Sequence, residues 1–417
     1  MKRFLALLTI LALLVMCFAG CANDATTEGD TTDDATVTDD NADTAGDGNE
    51  ADDGGETTDA AGDTDSAGGD PGAFDNYPRP KMVDPENVTI AYIISAIGTA
   101  EYASRGWHQM QIEVAHRGYE VILCEYNDSA EARDMIQNVI NQGVDAIFCS
   151  AMNDMETYQD LVIQAREAGI GWYSTDSTLI DGCISNVAVN NAVIGVTMLY
   201  YIGQLYNWDC GIVTVQRPGL QQHTERIGAM LGALDAFPNM ELISQQFLST
   251  DRSQTQTECY EVGRSMVQAY PEDLDVFITM GDSFAVGVAE GLISAGYTDH
   301  SEYVVTGMDG GSMAYRYIRN NTPFAYTAFQ PCEQFVHTSM EIFEDIQVEG
   351  LNPGDPGCLI DFAGQTIYGE SSIIGPTNCP DVGDSIHVGT SYYDPDDPDG
   401  WWNWDDGPGI YYVQEGL

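Results

Sequence analysis

Two stretches of this chain, VDAIFCSAMND at 144–154 and LDVFITMGD at 274–282, match in type and order, and that match narrows what the sequence can fold into. Each opens on an apolar residue and Asp, runs through four apolar or small residues, and ends in a polar turn ahead of a helix-like pattern. The first belongs to a series that starts at Val88. NVTIAYIIS (87–95) is a continuous apolar run, as expected of a strand covered on both faces, and GWHQMQIEVAHRG follows as a helix closed by Gly118. YEVILCEY is the next strand, and SAEARDMIQNVINQG the next helix, with Ser129 as its expected N-cap and Gly143 as its stop. VDAIFCSAM, METYQDLVIQAREAG and IGWYSTD repeat the scheme. It then restarts with CGIVTVQ (210–216), a helix from about Thr224 to Phe237, MELISQQFL, a helix from about Thr255 to Tyr270, LDVFITMGD, a helix to Gly296, and EYVVTGMDG. Such alternation predicts parallel sheets with right-handed crossovers. Two series predict two doubly wound α/β lobes whose strand carboxyl ends face a shared cleft, where ligands bind in such sheets.

Of the 417 residues, about 340 remain once the N-terminal segments are set aside, enough for two lobes with real cores. The first twenty, MKRFLALLTILALLVMCFAG, have the basic start, apolar stretch and small-residue end of a secretory signal. Phe18-Ala19-Gly20-Cys21 resembles the lipobox of bacterial lipoproteins, with Phe18 where that family usually has Leu. The resemblance implies that Cys21 is lipidated and becomes the first mature residue, held to a membrane by acyl chains worth about 0.8 kcal/mol per buried methylene. Residues 22–76 are almost wholly Asp, Glu, Thr, Ala, Gly and Asn, which leaves no core to offset ordering entropy and predicts a spacer with a reach of roughly 40 Å. A net charge of −52 excludes nucleic acid and anionic lipid head groups as partners. Two of the ten cysteines belong to the signal region and the other eight are scattered without CxxC. Cys124, Cys149 and Cys210 read as small buried apolar residues of strand segments, while Cys358 and Cys379 are the expected bridge.

Gly281-Asp282-Ser283-Phe284 resembles the GDS block of a serine esterase family, and Asp384-Ser385-Ile386-His387 its DxxH. That resemblance would make Ser283 the nucleophile, His387 the base and Asp384 the residue that orients it. Against it, the esterase block opens its domain, whereas several strand–helix units precede it here. No GxGxxG, P-loop, HExxH or GxSxG is present, and the six histidines show no ligand spacing, so neither cofactor nor metal is expected. DPDDPDG (394–400) is a carboxylate-rich turn that reads either as a solvated loop or as a Ca²⁺ holder.

Residues 87 to about 365 resemble the periplasmic sugar-binding proteins of ABC transporters, the ribose and galactose type, in the order of their elements and in several local pieces. These are GWHQMQIEVAHRGYEV, QGVDAIF, STD at 174–176, VNN at 189–191, GD at 281–282, GMDG at 307–310 and AFQP at 328–331. The resemblance implies two lobes joined by a hinge and no catalysis. It places a ligand-stacking aromatic at Tyr102, with Trp107 either beside it or in the core, and ligand-binding polar groups at Asp176, Asn191, Asp282, Asp309 and Gln330. An arginine expected on the first helix of the second lobe falls near Gln222, His223 and Thr224, with His223 as the candidate and a positive charge lost. Ser177 stands where the family often has Arg. The implied layout is a signal peptide at 1–20, an acidic linker at 21–80, a first lobe at 86–190 with a return segment at about 331–365, a second lobe at 191–330, and an extension at 366–417. The implied protein is monomeric, lipid-anchored on the outer face of a bacterial membrane. It delivers a monosaccharide, or otherwise a nucleoside, autoinducer or polyol, to an ABC permease.

Overall fold

The computed structural model describes residue 74 and residues 77–379 except 96 and 99. Cys21, the 384–387 and 394–400 motifs and Trp401, Trp402 and Trp404 lie outside the described residues.

The apolar runs form strands and the amphipathic runs between them form helices. In chain order these are β1 (Thr89–Ser95), α1 (Glu101–Arg117), β2 (Glu120–Tyr126), α2 (Ser129–Gln142), β3 (Ala146–Ser150), α3 (Gln159–Glu167), β4 (Gly171–Thr175) and β5 (Ser185–Val189). The second series is α4 (Asn191–Leu205), β6 (Cys210–Gln216), α5 (Gln221–Leu234), β7 (Met240–Phe247), α6 (Thr255–Ala269), β8 (Val276–Thr279), α7 (Asp282–Ser294), β9 (Val304–Asp309), α8 (Ser312–Arg319) and β10 (Phe324–Phe329). α9 (Cys332–Phe343), β11 (Gln365–Gly369) and β12 (Ile373–Ile374) follow.

The repeat seen in the sequence is a repeat of topology. One sheet runs β2-β1-β3-β4-β5-β11 and the other β7-β6-β8-β9-β10-β12, the same order twice, parallel throughout except for β12 against β10. Neighbouring side chains on a strand point to opposite faces, and both faces are covered. Ile90, Tyr92 and Ile94 enter one core while Ala91 and Ile93 enter another, and in the second sheet Val276 and Ile278 separate from Phe277 in the same way. Trp107 stacks on Tyr92 at 5.9 Å between ring centroids, so it packs the core. At Gly195 a Cβ would meet the Arg226 carbonyl at 2.2 Å; glycine is what lets α4 lie this close to α5.

The chain passes between the lobes after β5, after β10, and again between β11 and β12. α9 packs on α1, β4 and β5 of the first lobe.

Several local expectations need correction. The linker boundary at 80 runs too far: Phe74 is buried among Val88 and Ile90, and the Arg166 and Arg79 guanidinium groups lie 5.7 and 5.4 Å from its ring centroid. The Tyr77 hydroxyl donates to Asp181 at 2.6 Å. Aromatic rings supply the apolar area that the rest of the acidic run lacks. The extension expected from 366 begins inside β11, which pairs with β5, so the first sheet continues past the anticipated edge. The N-cap of α2 is Asp128, whose carboxylate accepts from the Ala130 and Glu131 amides; Ser129 is the first helical residue. α5 starts at Gln221, three residues before the expected Thr224. Cys358 and Cys379 form no bridge with each other, and they pack against different cores.

Candidate functional site

The carboxyl ends of β1, β3, β4, β6, β8 and β9 converge on a cavity of about 230 Å³ between the lobes. Tyr102, Asp176, His223, Asp282, Asp309 and Gln330 line it. Asn191 does not; it faces a neighbouring pocket that shares Asp176 and Gln222 with this one.

From the first lobe, β4 delivers Asp176 in a left-handed conformation with φ 43°, and Ala151, just past β3, has φ 46°. Asp tolerates that region through local hydrogen bonding, whereas Ala has no such means, so the Ala151 backbone stores roughly 1–2 kcal/mol beside the cavity. Asp176 is 4% exposed, and its Oδ1 has no hydrogen-bond partner among the described residues. Burial raises its pKa, while the Arg226 charge, the Asn191 amide and the Tyr102 hydroxyl pull it down.

From the second lobe, Asp282 opens α7 and Asp309 ends β9, and the two are interlocked. Asp282 Oδ2 accepts from the Gly311 amide at 3.0 Å and its Oδ1 from the Thr327 hydroxyl at 2.6 Å. Asp309 Oδ2 accepts from the Asp282 amide at 2.9 Å and its Oδ1 from Gln330 Nε2 at 3.1 Å. Burial, with the Glu101 charge behind it, pushes the Asp282 carboxyl up to about 6, against the hydrogen bonds from Gly311 and Thr327. Burial and the Asp282 charge hold Asp309 well above the usual carboxylate range. His223 Nδ1 accepts from the Arg217 amide at 3.3 Å, which leaves the proton of the neutral ring on Nε2. Burial first, then the charges of Arg226, Arg252 and Arg217, hold the His223 pKa well below its ordinary value.

The helix that carries Gln222, His223 and Thr224 does bring one positive charge to the cavity. It is Arg226, 1% exposed, whose Nε donates to Asn191 Oδ1 at 2.8 Å, Nη1 to the Met280 carbonyl at 2.9 Å and Nη2 to Gln330 Oε1 at 3.1 Å. Asn191 and Gln330 stand at two of the interlobe crossings, so one guanidinium fastens both. Arg226 is the sole cation of α5 and lies four residues after Gln222, on the same helix face; that spacing was the available signal. Arg217, Arg252 and Glu101 also line the cavity and were not anticipated.

Hydrogen bonds cross from lobe to lobe around the cavity. Glu101 of α1 accepts from the Ser312 and Met313 amides at 2.7 and 3.0 Å, capping α8, whose own N-cap Gly311 has no side chain for the task. Arg252 donates to Ser95 Oγ at 2.6 Å and Asn153 Oδ1 at 2.5 Å, and the Asp154 amide to the Gly219 carbonyl at 3.1 Å. Arg105, 4% exposed, grips Glu333 through Nε and Nη2 at 2.6 and 2.7 Å and reaches the Asp309 carbonyl at 3.2 Å. Ser283 lines the cavity from the first turn of α7; its proposed partners Asp384 and His387 lie outside the described residues. No cluster of metal-ligating groups occurs among the described residues, and none of their helices is long and apolar enough to cross a membrane.

The family model described as periplasmic binding protein domain matches residues 90–343. A ribose import binding protein of Bacillus subtilis (strain 168) is 24% identical over 222 residues, 52% of this chain and 69% of that protein. The Caulobacter myo-inositol binding protein, solved with myo-inositol, superposes with a TM-score of 0.61 at 18% identity, covering 72% of this chain and 96% of that one. A solute binding protein of Actinobacillus succinogenes 130z, solved with D-allose, gives a TM-score of 0.60 at 16% identity, with 70% of this chain and 98% of that one covered.

Proposed function

We propose a function for a chain that belongs to the periplasmic binding protein domain family: capture of a monosaccharide or related polyol between its lobes, and delivery of that ligand to an ABC importer from a lipid anchor at Cys21. Members of this family are extracytoplasmic transport components and not enzymes, which agrees with the expectation from sequence.

One observation carries the ligand class. Asp176 lines the cavity and has a buried carboxylate oxygen with no hydrogen-bond partner among the described residues, and the half-buried Tyr102 ring lines the same cavity; strong acceptor and apolar face together suit the hydroxyl donors and C–H groups of a sugar. The cavity is smaller than the pockets that take drug-sized molecules, which favours a single ring. The relatives solved with myo-inositol and D-allose support the same ligand class. The interlobe bonds of Glu101 and Arg252 supply the mechanism. They form only when the lobes meet, so a ligand that touches both lobes favours the state in which those bonds exist, and a permease can distinguish that state from the open one.

A thermal-shift screen of the purified protein against aldoses, cyclic and linear polyols and nucleosides tests the reading. A ligand at a hundred times its Kd should stabilise the fold by about 2.7 kcal/mol. Response to nucleosides alone, or turnover of acyl esters, would replace the proposed ligand.

A further inference from the structure

The residues after 76 include eleven arginines and one lysine in a chain of net charge −52, so where the cations are placed is informative. Arg217, Arg226 and Arg252 line one cavity. None of them forms an ion pair among the described residues, unlike Arg105 with Glu333, Arg117 with Glu113 and Arg133 with Asp160. Their hydrogen bonds go to neutral groups: Arg217 to the Thr255 hydroxyl, Arg252 to Ser95 and Asn153, and Arg226 to Asn191, Met280 and Gln330. Arg217 is only 2% exposed, and its Nε has no partner at all among the described residues. A guanidinium kept from water and left unpaired is costly unless an anion meets it, and its fork geometry suits carboxylate and phosphate. Arg252 stands close enough to depress the Arg217 pKa, after burial, so the two charges share one end of the cavity with the neutral His223. Elsewhere in the lining each carboxylate oxygen of Asp282 and Asp309 already accepts a bond from the protein, whereas Asp176 keeps an oxygen with no partner among the described residues.

We propose that the ligand is a sugar or polyol carrying an acidic group, a carboxylate or a phosphate, seated against Arg217 and Arg252 with its hydroxyls toward Asp176. The proposal rests on the sugar-cleft reading above and narrows it. Titration calorimetry on the mature protein with D-glucose, D-glucuronate and D-glucose 6-phosphate, and with D-ribose and D-ribose 5-phosphate, tests it. An acidic member should bind at least about tenfold tighter than its neutral parent, the gain expected of a charge-assisted contact. Arg217→Gln should lower that ratio by a similar factor and Arg217→Lys by less, with the melting temperature in the absence of ligand reporting whether each variant folds. Arg252→Gln is the independent variant if Arg217→Gln does not fold. Preference for glucuronate assigns a carboxylate site, and preference for the sugar phosphates a phosphate site. Neutral parents that bind as tightly as the acidic members, or a ratio unmoved in folded variants of both arginines, would overturn the acidic-ligand proposal and leave the sugar cleft standing. Binding by neither class would overturn both.

Discussion

Asp282 is held on both oxygens by the protein itself, and this changes what its removal should do. From the sequence it reads as a cleft carboxylate whose loss would weaken binding and spare folding. In the structure its loss leaves the Gly311 amide and the Thr327 hydroxyl without their acceptor. Each stranded buried donor costs about 1–3 kcal/mol, so Asp282→Ala should lower unfolding free energy by roughly 2–6 kcal/mol in a urea titration as well as weaken binding. An unchanged midpoint would show that the carboxylate is not structural. The effect should depend on pH. The folded pKa of Asp282 is raised to about 6, so its protonation stabilises the fold fully below the unfolded carboxylate range and that stabilisation is lost as pH rises through about 6. The gap between wild type and Asp282→Ala should therefore be wider at pH 5 than at pH 7.5. Strand-end carboxylates were legible in the sequence because residue type and position suffice to place them. Their bonding was not, because Thr327 and Gly311 come from other elements, and the sequence does not state which partner uses an oxygen first.

The helices that flank the cavity are coupled across it by side chains whose partners lie far along the chain. Glu101 sits in the first turn of α1 yet caps α8 of the other lobe, so its bond is made only while the lobes are together. Glu101→Gln keeps the size and removes the charge that favours a helix N-terminus, a change worth about 0.5–2 kcal/mol. Ligand affinity should fall by roughly 3- to 30-fold, with little change in the unfolding midpoint without ligand; calorimetry beside thermal melts separates the two. A second tie joins α1 to α9. His337 Nδ1 lies 3.0 and 3.1 Å from the Glu113 oxygens, and Nε2 lies 3.4 Å from Glu341. Burial lowers the His337 pKa, but the two carboxylates outweigh it and hold the ring above its ordinary value. A raised folded pKa means stability fully present below the unfolded value, about 6.5, and lost as pH rises through the folded one. Melting temperature should decline above that point in the wild type and decline less in His337→Gln. The strand–helix alternation was legible because apolar period and Gly stops carry it. β11 was not: QTIYG lies at an edge with half-buried residues after a Gly- and Pro-rich stretch, so it lacks the continuous apolar run that marks the inner strands.

At the scale of the whole molecule, charge dominates. The anchoring step is tested simply: Cys21→Ser should move the protein from the membrane fraction to the soluble one, because a chain of net charge −52 has no attraction of its own for anionic lipid. The same charge acts on stability. Like charges spread over one fold repel at all separations within a Debye length, about 30 Å at 0.01 M salt and 3 Å at 1 M, and unfolding relieves that repulsion by spreading the chain. Adding salt therefore screens a term that favours the unfolded state. The paired arginines work in the opposite direction, because Arg105–Glu333 and Arg117–Glu113 are attractive, but both pairs are largely buried and salt reaches them poorly. The repulsive term should win. Raising NaCl from 0.01 to 1 M should increase the melting temperature, by about 2–4 °C for each kcal/mol of repulsion removed in a body of this size. Sodium chloride and potassium chloride should act alike, since screening depends on ionic strength and not on a specific cation site. A melting temperature that fell with salt would mean that attractive pairs, and not the excess of carboxylates, set the electrostatics of this fold.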